Sequence, residues 1–461
     1  MLQLLTPNTV PRSPNLFKRV FLPVLFFFLL TAFLVRMAFD ATFVQAFMAD
    51  GKIVRGMMDS QFWKEWWRIG RVMELSHQNY LQIGNVTYDK LADSALDHIL
   101  DGLDRYSDYM TPAKYQSFLN ESNQTLIGIG VELERRNGHI QVLNVFSGSP
   151  AYKSGWQPGD RILEIDGTDV RDFTVAGVDR LLRGPEGKTV SVTRERLGDV
   201  PFTRTDLLTR GGFDVPSIRD FEFRTDNVGR LRITQFGQKT GDEFVDALRD
   251  MMGHEGLRGI ILDLRDNSGG VLTANVEVKM LQTLLKPNML IVTTKGRSSS
   301  DVQTLVTPSA TDPNNTDPAS DLHYDGPLVV LVNEGTASAA EIVAGALQDH
   351  SRAIIVGQRT YGKGVVQSIL PLGDGGAVRL TTEAYLLPKN ESIQDVGIVP
   401  DIRMDQTTDE RDLLRAERAD LRHMTQPTTS AAFAAAYGFD PSPDPEIETA
   451  AGLILAASAS K

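Results

Sequence analysis

The stretch from Gly326 to Gln367 constrains the fold more than any other part of this 461-residue chain. It opens with P-L-V-V-L-V at Pro327 to Val332, a continuous apolar run of the kind shown by a strand buried on both faces. The small-residue patch N-E-G-T-A-S-A-A-E follows, with Ser338 in it. Ile342, Val343, Ala346 and Leu347 then fall at helical spacing, which predicts a helix from Ser338 to about Asp349. A second buried strand is expected at Ala353 to Val356, and after it a glycine loop, R-T-Y-G-K-G, carrying Lys363. This order of elements argues for an α/β core. A serine at such a turn sits at the positive end of the helix, where free backbone N–H groups can face a developing negative charge.

Each piece alone is ordinary. A serine at a helix start is most often an N-cap, and a lysine between glycines is usually a solvated loop residue. The combination is more specific: Ser338 and Lys363 stand 25 positions apart (363 − 338), and Gln367 lies four beyond the lysine. The strings G-T-A-S-A-A-E-I-V-A-G-A-L-Q-D and G-Q-R-T-Y-G-K-G-V-V-Q resemble the carboxyl-terminal processing peptidases, also called tail-specific proteases. The resemblance extends from about Val72 to Asp401. It implies that Ser338 is a nucleophile, Lys363 its base and Gln367 the group that orients the lysine. It also implies a multidomain α/β protein with a crotonase/ClpP-like catalytic core, acting without a cofactor on protein substrates with accessible C-termini.

The chemistry of such a dyad is demanding. Free lysine titrates near ~10.4, so a lysine base must be kept neutral. Burial disfavours the charged form and lowers the pKa by up to ~3–5 units. A neutral Lys363 could take the Ser338 proton and deliver it to the leaving amine. A glutamine beside it adds no negative charge, whereas a carboxylate would raise the lysine pKa. Two other readings stay open. One is a peptide-binding scaffold without proteolytic activity. The other is a histidine-based hydrolase using His350, although that residue ends the predicted helix and reads as a C-terminal cap.

Composition narrows the field. A net charge of −12 argues against a nucleic-acid binder. With no cysteine the chain has no disulfide, no thiolate metal site and no cysteine nucleophile. Its seven histidines are scattered without an H-E-x-x-H motif, so no metal is expected.

Near the amino end, Val20 to Val35 is a run of aliphatic and aromatic residues that follows Arg12, Lys18 and Arg19. It reads as a signal anchor, with a cleaved signal peptide as the alternative. The basic residues before it favour an amino terminus left in the cytoplasm. The corresponding location is the bacterial inner membrane, single-pass with the catalytic part in the periplasm, or an exported soluble protein if the signal is cleaved. From Phe43 to about Gln124 the pattern is helical. F-W-K-E-W-W at Phe62 to Trp67 reads as core or subunit contact, and Leu91, Ala95, Ile99 and Leu103 are expected on one helix face. The resembling family usually reads L-D-P-x-S-x-Y after this helix; here Arg105 takes the proline position.

Strands are predicted at Ile129 to Leu133, Ile140 to Asn144, Arg161 to Ile165 and Val190 to Thr193, with a helix at Val175 to Leu182. Together with S-P-A-Y-K-S-G-W-Q-P-G-D-R-I-L-E-I-D-G they resemble a PDZ domain. The loop Gly128, Ile129, Gly130 and Val131 matches its carboxylate-binding loop, where small residues let backbone N–H groups converge on a peptide terminus. Further on, Leu231 to Phe236 and Arg258 to Leu264 are predicted strands around a helix at Asp242 to Met252, and R-D-N-S-G-G leads into another helix. By resemblance, Gly270 and the N–H of Ala339 form an oxyanion hole. Ser298 to Tyr324 is expected to be a surface loop, and Val378 to Leu387 a strand. The expected division is a tip and anchor to 42, a helical region at 43–124, a PDZ-like domain at 125–200, a peptidase core at 201–406 and a helical, Ala-rich tail from 407. Adaptor protein and homo-oligomer are both left open as partners.

Overall fold

The computed structural model describes residues 59–81, 86–136, 138–197, 201–298, 300–309, 317–404 and 444–459. The apolar run at Val20 to Val35 lies outside them, as does most of the charged segment after Thr407. Among the described residues no helix is long and apolar enough to cross a membrane. The chain divides into two compact units, one holding the residues up to Tyr115 with Ile369–Leu380, the other the remainder.

In the first unit, α1 (Ser60–Asn79) starts at Asp59, whose carboxylate accepts the Gln61 N–H at 2.8 Å. No residue of α1 is buried, and Trp63, Trp66 and Trp67 are 47%, 61% and 69% exposed, so the aromatic cluster does not pack into a core of this unit. The second helix, α2 (Tyr88–Asp101), is capped by Thr87. Its buried residue is Leu100, and Ile99 is exposed. Of the expected stripe Leu91 and Ala95 are half-buried, Ile99 is exposed, and the helix stops at Asp101 before reaching Leu103. Asp104 then accepts the Tyr106 and Ser107 N–H groups in a tight turn, without the proline. The strand β1 (Asp108–Met110) pairs antiparallel with residues 377–379, and Arg379 grips Asp108 at 2.9 and 3.1 Å. A third helix, α3 (Pro112–Ser122), leads into the second unit.

That unit begins with the PDZ-like part. Its elements are β2 (Thr125–Gly128), β3 (Val131–Arg136), β4 (His139–Val145), α4 (Pro150–Lys153), β5 (Arg161–Ile165), β6 (Thr168–Asp169), α5 (Val175–Leu182), β7 (Thr189–Arg196), β8 (Phe202–Thr209) and β9 (Gly211–Asp214). The sheet runs β3-β4-β5-β7-β8, with β6 on β5. Ile140, Val142, Ile162, Val178, Val190 and Val192 form its core. Arg194 is buried too, held by Asp160 and Asp206 beneath the Trp156 ring, because a buried guanidinium needs both charge and hydrogen-bond partners. The expected boundary at residue 200 falls inside a hairpin. All of β8 pairs with β7, from Thr189 with Thr209 to Arg196 with Phe202, and β9 returns to pair with β2.

The larger part follows: β10 (Ile218–Phe223), β11 (Val228–Ile233), α6 (Thr240–Met252), β12 (Gly259–Asp263), a π-helical turn (Ala274–Val278), α7 (Lys279–Leu281), β13 (Leu290–Lys295), β14 (Val302–Val306), β15 (Leu328–Val332), α8 (Ala339–Asp349), β16 (Ile354–Gly357), β17 (Val365–Pro371), β18 (Ala377–Leu386), β19 (Ile402–Arg403) and α9 (Pro445–Ala459). One sheet runs β10-β11-β12-β15-β16-β19, parallel throughout except for the edge strand β10. Its central strands are apolar on both sides because both faces are covered, as the unbroken run at Leu328–Val332 required. α6, the π turn and α8 pack one face, and α9 covers the other with Ala450, Ala451 and Ile454 over Ile261, Val329 and Leu331. The end of β18 pairs with β13, and β13 with β14. Thus Ser298 to Tyr324 is not one long loop: it contains β14 and a buried Tyr324 whose hydroxyl donates to the Pro327 carbonyl.

Candidate active site

Three neighbouring strands supply the three motif loops. Parallel strands all end on the same edge of a sheet, so residues following β12, β15 and β16 are brought together although far apart in sequence. They emit Arg265–Gly270, Asn333–Ser338 and Gln358–Gly364 respectively. The loops are stitched to one another. Asn333 accepts the Asp266 N–H at 2.8 Å and donates to the Asp266 carboxylate at 3.0 Å. Ala337 N–H donates to the Asn267 carbonyl at 2.9 Å, and Tyr361 N–H to the Thr336 carbonyl at 3.0 Å.

Ser338 sits at the junction of β15 and α8 with φ 56° and ψ −121°, a conformation that a residue bearing a Cβ rarely adopts. Glu341 holds it there. This carboxylate is fully buried and accepts the Ser338 N–H at 2.9 Å. It also accepts Gly362 N–H at 2.8 Å, Lys363 N–H at 2.9 Å and the Thr360 hydroxyl. Tyr385, buried in β18, adds a second tie: its hydroxyl donates to the Lys363 carbonyl and lies 3.4 Å from the Ser338 carbonyl. The serine and the lysine are therefore fastened through the same two side chains. Neither Glu341 nor Tyr385 stood out in the sequence, although a glutamate three residues into a helix is a known partner for the N-cap N–H.

Gln367 lies on β17 and donates from its amide to Thr381 Oγ1 at 3.3 Å. The glycine pair approaches the serine closely. Gly269 has φ +92°, and a Cβ there would lie 2.7 Å from the Ser338 Cβ and 3.0 Å from the Ala339 nitrogen, so only glycine fits. Gly270 runs beside Phe236, with Phe236 N–H donating to Gly269 at 2.9 Å and Val271 N–H to Phe236 at 2.8 Å. The N–H groups of Gly270 and Ala339 donate to no protein acceptor among the described residues. His350 is elsewhere. It caps the far end of α8, roughly 18 Å along the helix from Ser338, and its Nε2 contacts the Leu290 carbonyl at 2.7 Å.

In the PDZ-like part, Gly128 to Val131 joins β2 to β3 and lines a shallow pocket with Leu126, Leu182, Arg183 and Phe213. Gly130 has φ +80° against Ser149, and the Ile129 and Gly130 carbonyls are taken by Ala151 and Phe146 N–H groups. The Ile129 and Gly130 N–H groups donate to no protein acceptor among the described residues.

Sequence profiles assign residues 227–404 to Peptidase family S41 and residues 141–196 to the PDZ domain. The carboxy-terminal-processing protease of Bartonella bacilliformis is 34% identical over 76% of this chain and 77% of its own length. The chain belongs to peptidase family S41. It is a serine-type peptidase with a PDZ domain. Carboxyl-terminal-processing peptidase 3 of Arabidopsis thaliana chloroplasts is 33% identical over 87% of this chain and 76% of that one. The carboxy-terminal processing protease CtpA of Bacillus subtilis is 33% identical over 68% of this chain and 64% of that one. The matched S41 region coincides with β11 to β19, while the loop Gly128 to Val131 precedes the matched PDZ residues.

Proposed function

We propose that this S41 peptidase recognises the C-terminal region of protein substrates through its PDZ domain and cleaves them internally by an acyl-enzyme route on Ser338 and Lys363. The observation that carries the reading is the Glu341 clamp, which holds the backbones of Ser338 and Lys363 in one hydrogen-bonded unit. Ser338 Oγ attacks the scissile carbonyl as its proton passes to a neutral Lys363 amine. Negative charge develops on the carbonyl oxygen and is met by the Gly270 and Ala339 N–H groups. Collapse breaks the C–N bond, and the lysine ammonium returns the proton to the leaving amine. Water then hydrolyses the ester through the same base. Gln367 orients the lysine from β17 without adding charge.

Substrate capture is assigned to the Gly128 to Val131 loop, which can offer N–H groups to a terminal carboxylate. The relatives' names, carboxy-terminal processing proteases, support this assignment. We read the parallel-sheet core as crotonase/ClpP-like, the apolar run at Val20 to Val35 as a membrane anchor, and the peptidase as periplasmic, with amino-terminal sequencing of the mature chain as the check on the anchor. The division into helical, PDZ-like, peptidase and tail parts belongs to the same reading, with β8 and β9 added to the PDZ part. The deciding experiment follows degradation of an unfolded test protein by the purified chain. Ser338→Ala and Lys363→Ala each abolish cleavage without unfolding, Gln367→Ala weakens it, and His350→Ala leaves it. Turnover by Lys363→Ala, or its loss in His350→Ala alone, would favour the histidine mechanism.

A further inference from the structure

Glu277 is a buried carboxyl that the mechanism above does not use. It sits in the π-helical turn Ala274–Val278, seven residues after Gly270, and has no exposed surface. One oxygen accepts the Thr273 N–H at 2.9 Å. The other, Oε1, and the Thr273 hydroxyl are buried with no hydrogen-bond partner among the described residues. Its neighbours Val276, Met280 and Leu281 belong to the apolar core. A π turn departs from ordinary helix geometry and is found disproportionately at functional sites, and an orphaned buried carboxyl costs stability that an apolar residue would not. What the carboxyl contributes in return is its bond to the Thr273 N–H.

That bond fixes the downstream side of the glycine loop. Upstream, Asn267 accepts the Gly269 N–H at 2.9 Å and donates to the Ile233 carbonyl at 2.9 Å. In the middle, Val271 N–H is fixed on Phe236. Downstream of Val271, Glu277 supplies the anchor at Thr273. We propose that Glu277 is a positioning residue that steadies the Gly270 N–H, whose peptide plane is set by the Phe236 N–H on the Gly269 carbonyl, by holding Thr273 across the π turn. The inference rests on reading Gly270 as an oxyanion donor.

The surroundings give this anchor a pH dependence. Burial pushes the Glu277 carboxyl up to about 8, against the opposing effect of the backbone N–H bonds. No charge in the packed elements answers it. On α6, Asp242 is paired with Lys279, Glu243 faces Gln124 and Ser217, Arg249 is paired with Asp246, and Asp250 is exposed. On α7, Lys279 is taken by Asp242 and Asp317, and β14, V-Q-T-L-V, carries no charge. The carboxyl is therefore mostly neutral at pH 7 and ionises as the pH rises through about 8. Its charged form, with one bare oxygen in an apolar site, disfavours the turn.

The test uses the full chain with Glu277→Leu and Glu277→Gln, following kcat, KM, affinity for a peptidyl trifluoromethyl ketone that forms an oxyanion on the serine, and amide exchange across residues 270–278. For Glu277→Leu we expect faster exchange, kcat and ketone affinity both lower by about tenfold or more, short of the ~10²–10³ for outright loss of a donor, and KM within about twofold. Glu277→Gln keeps the acceptor and cannot ionise, so it retains kcat at pH 7 and loses the fall in kcat that the parent shows above about pH 8. Unchanged exchange in Glu277→Leu would overturn the anchor while leaving the role of Gly270 intact. Faster exchange with unchanged kcat and ketone affinity would overturn the proposal through Gly270 itself. An alkaline limb that survives in Glu277→Gln would also overturn it, even if the leucine variant failed to fold.

Discussion

At the scale of single residues, the site is organised by a carboxylate rather than by the serine. Glu341 terminates four hydrogen bonds from two loops: one from Ser338, and three from Thr360, Gly362 and Lys363. Each donor left unsatisfied in a buried place costs about 1–3 kcal/mol. Glu341→Ala is therefore expected to lose at least about 3 kcal/mol in urea unfolding and to lose cleavage even in molecules that remain folded. A variant that unfolds at the parental urea concentration would show that the loops hold their places without it. Ser338 and Lys363 could be proposed from the sequence because the strings around them resemble those of a peptidase family. Glu341 could not, because an acidic residue in the first turn of a helix reads as a cap, and only the fold shows that its second oxygen reaches another loop. The conformation of Ser338 was equally hidden, since a positive φ at a non-glycine residue follows from its surroundings.

At the scale of elements, the parallel core was legible where its residues were unambiguous. The runs at Leu328–Val332 and Gly259–Leu262 are apolar throughout and turned out buried throughout. The strand β14 was missed because V-Q-T-L-V is short and lies in a polar surround, and its existence depends on pairing with β13. The helix α9 was missed as a packing element because its Ala-rich pattern has no polar face to orient it. It is fixed by a buried charge cluster: Arg265 lies between Asp263, Asp444 and Glu446. Burial would raise the Asp263 carboxyl, but Arg265 and Arg230 outweigh it and hold the group well below the usual carboxylate range. Packing fixes α9 as well, since a Cβ at Gly259 would lie 2.3 Å from Ile454 Cγ2 and 2.9 Å from the Pro327 carbonyl. Gly259→Ala is expected to cost about 1–3 kcal/mol by overpacking and to open residues 445–459 to protease. Parental proteolysis in that variant would mean that the strand and helix adjust freely.

At the scale of the whole molecule, the PDZ part is inserted as a closed unit whose first strand, β2, pairs with its last, β9. A deletion meant to probe it must therefore span 125–214, because one ending at Arg196 strands β8 and β9. The complete deletion is expected to abolish the preference for a free over an amidated substrate terminus, measured as the ratio of kcat/KM for the two peptides. The intact chain should prefer the free acid at least several-fold, and equal rates below saturation would remove carboxylate capture from the account. The position of α9 has a different consequence, one that concerns time. Arg265 begins the glycine loop, and its charge is answered partly by residues made long after Lys363 has left the ribosome. Until Asp444 to Ala459 emerge, the sheet has one bare face and the loop has a guanidinium short of partners. The peptidase is therefore expected to stay inactive until its own synthesis is complete. Arrested chains that end before Asp444 should fail to react with a fluorophosphonate at Ser338, whereas released full-length chains should react.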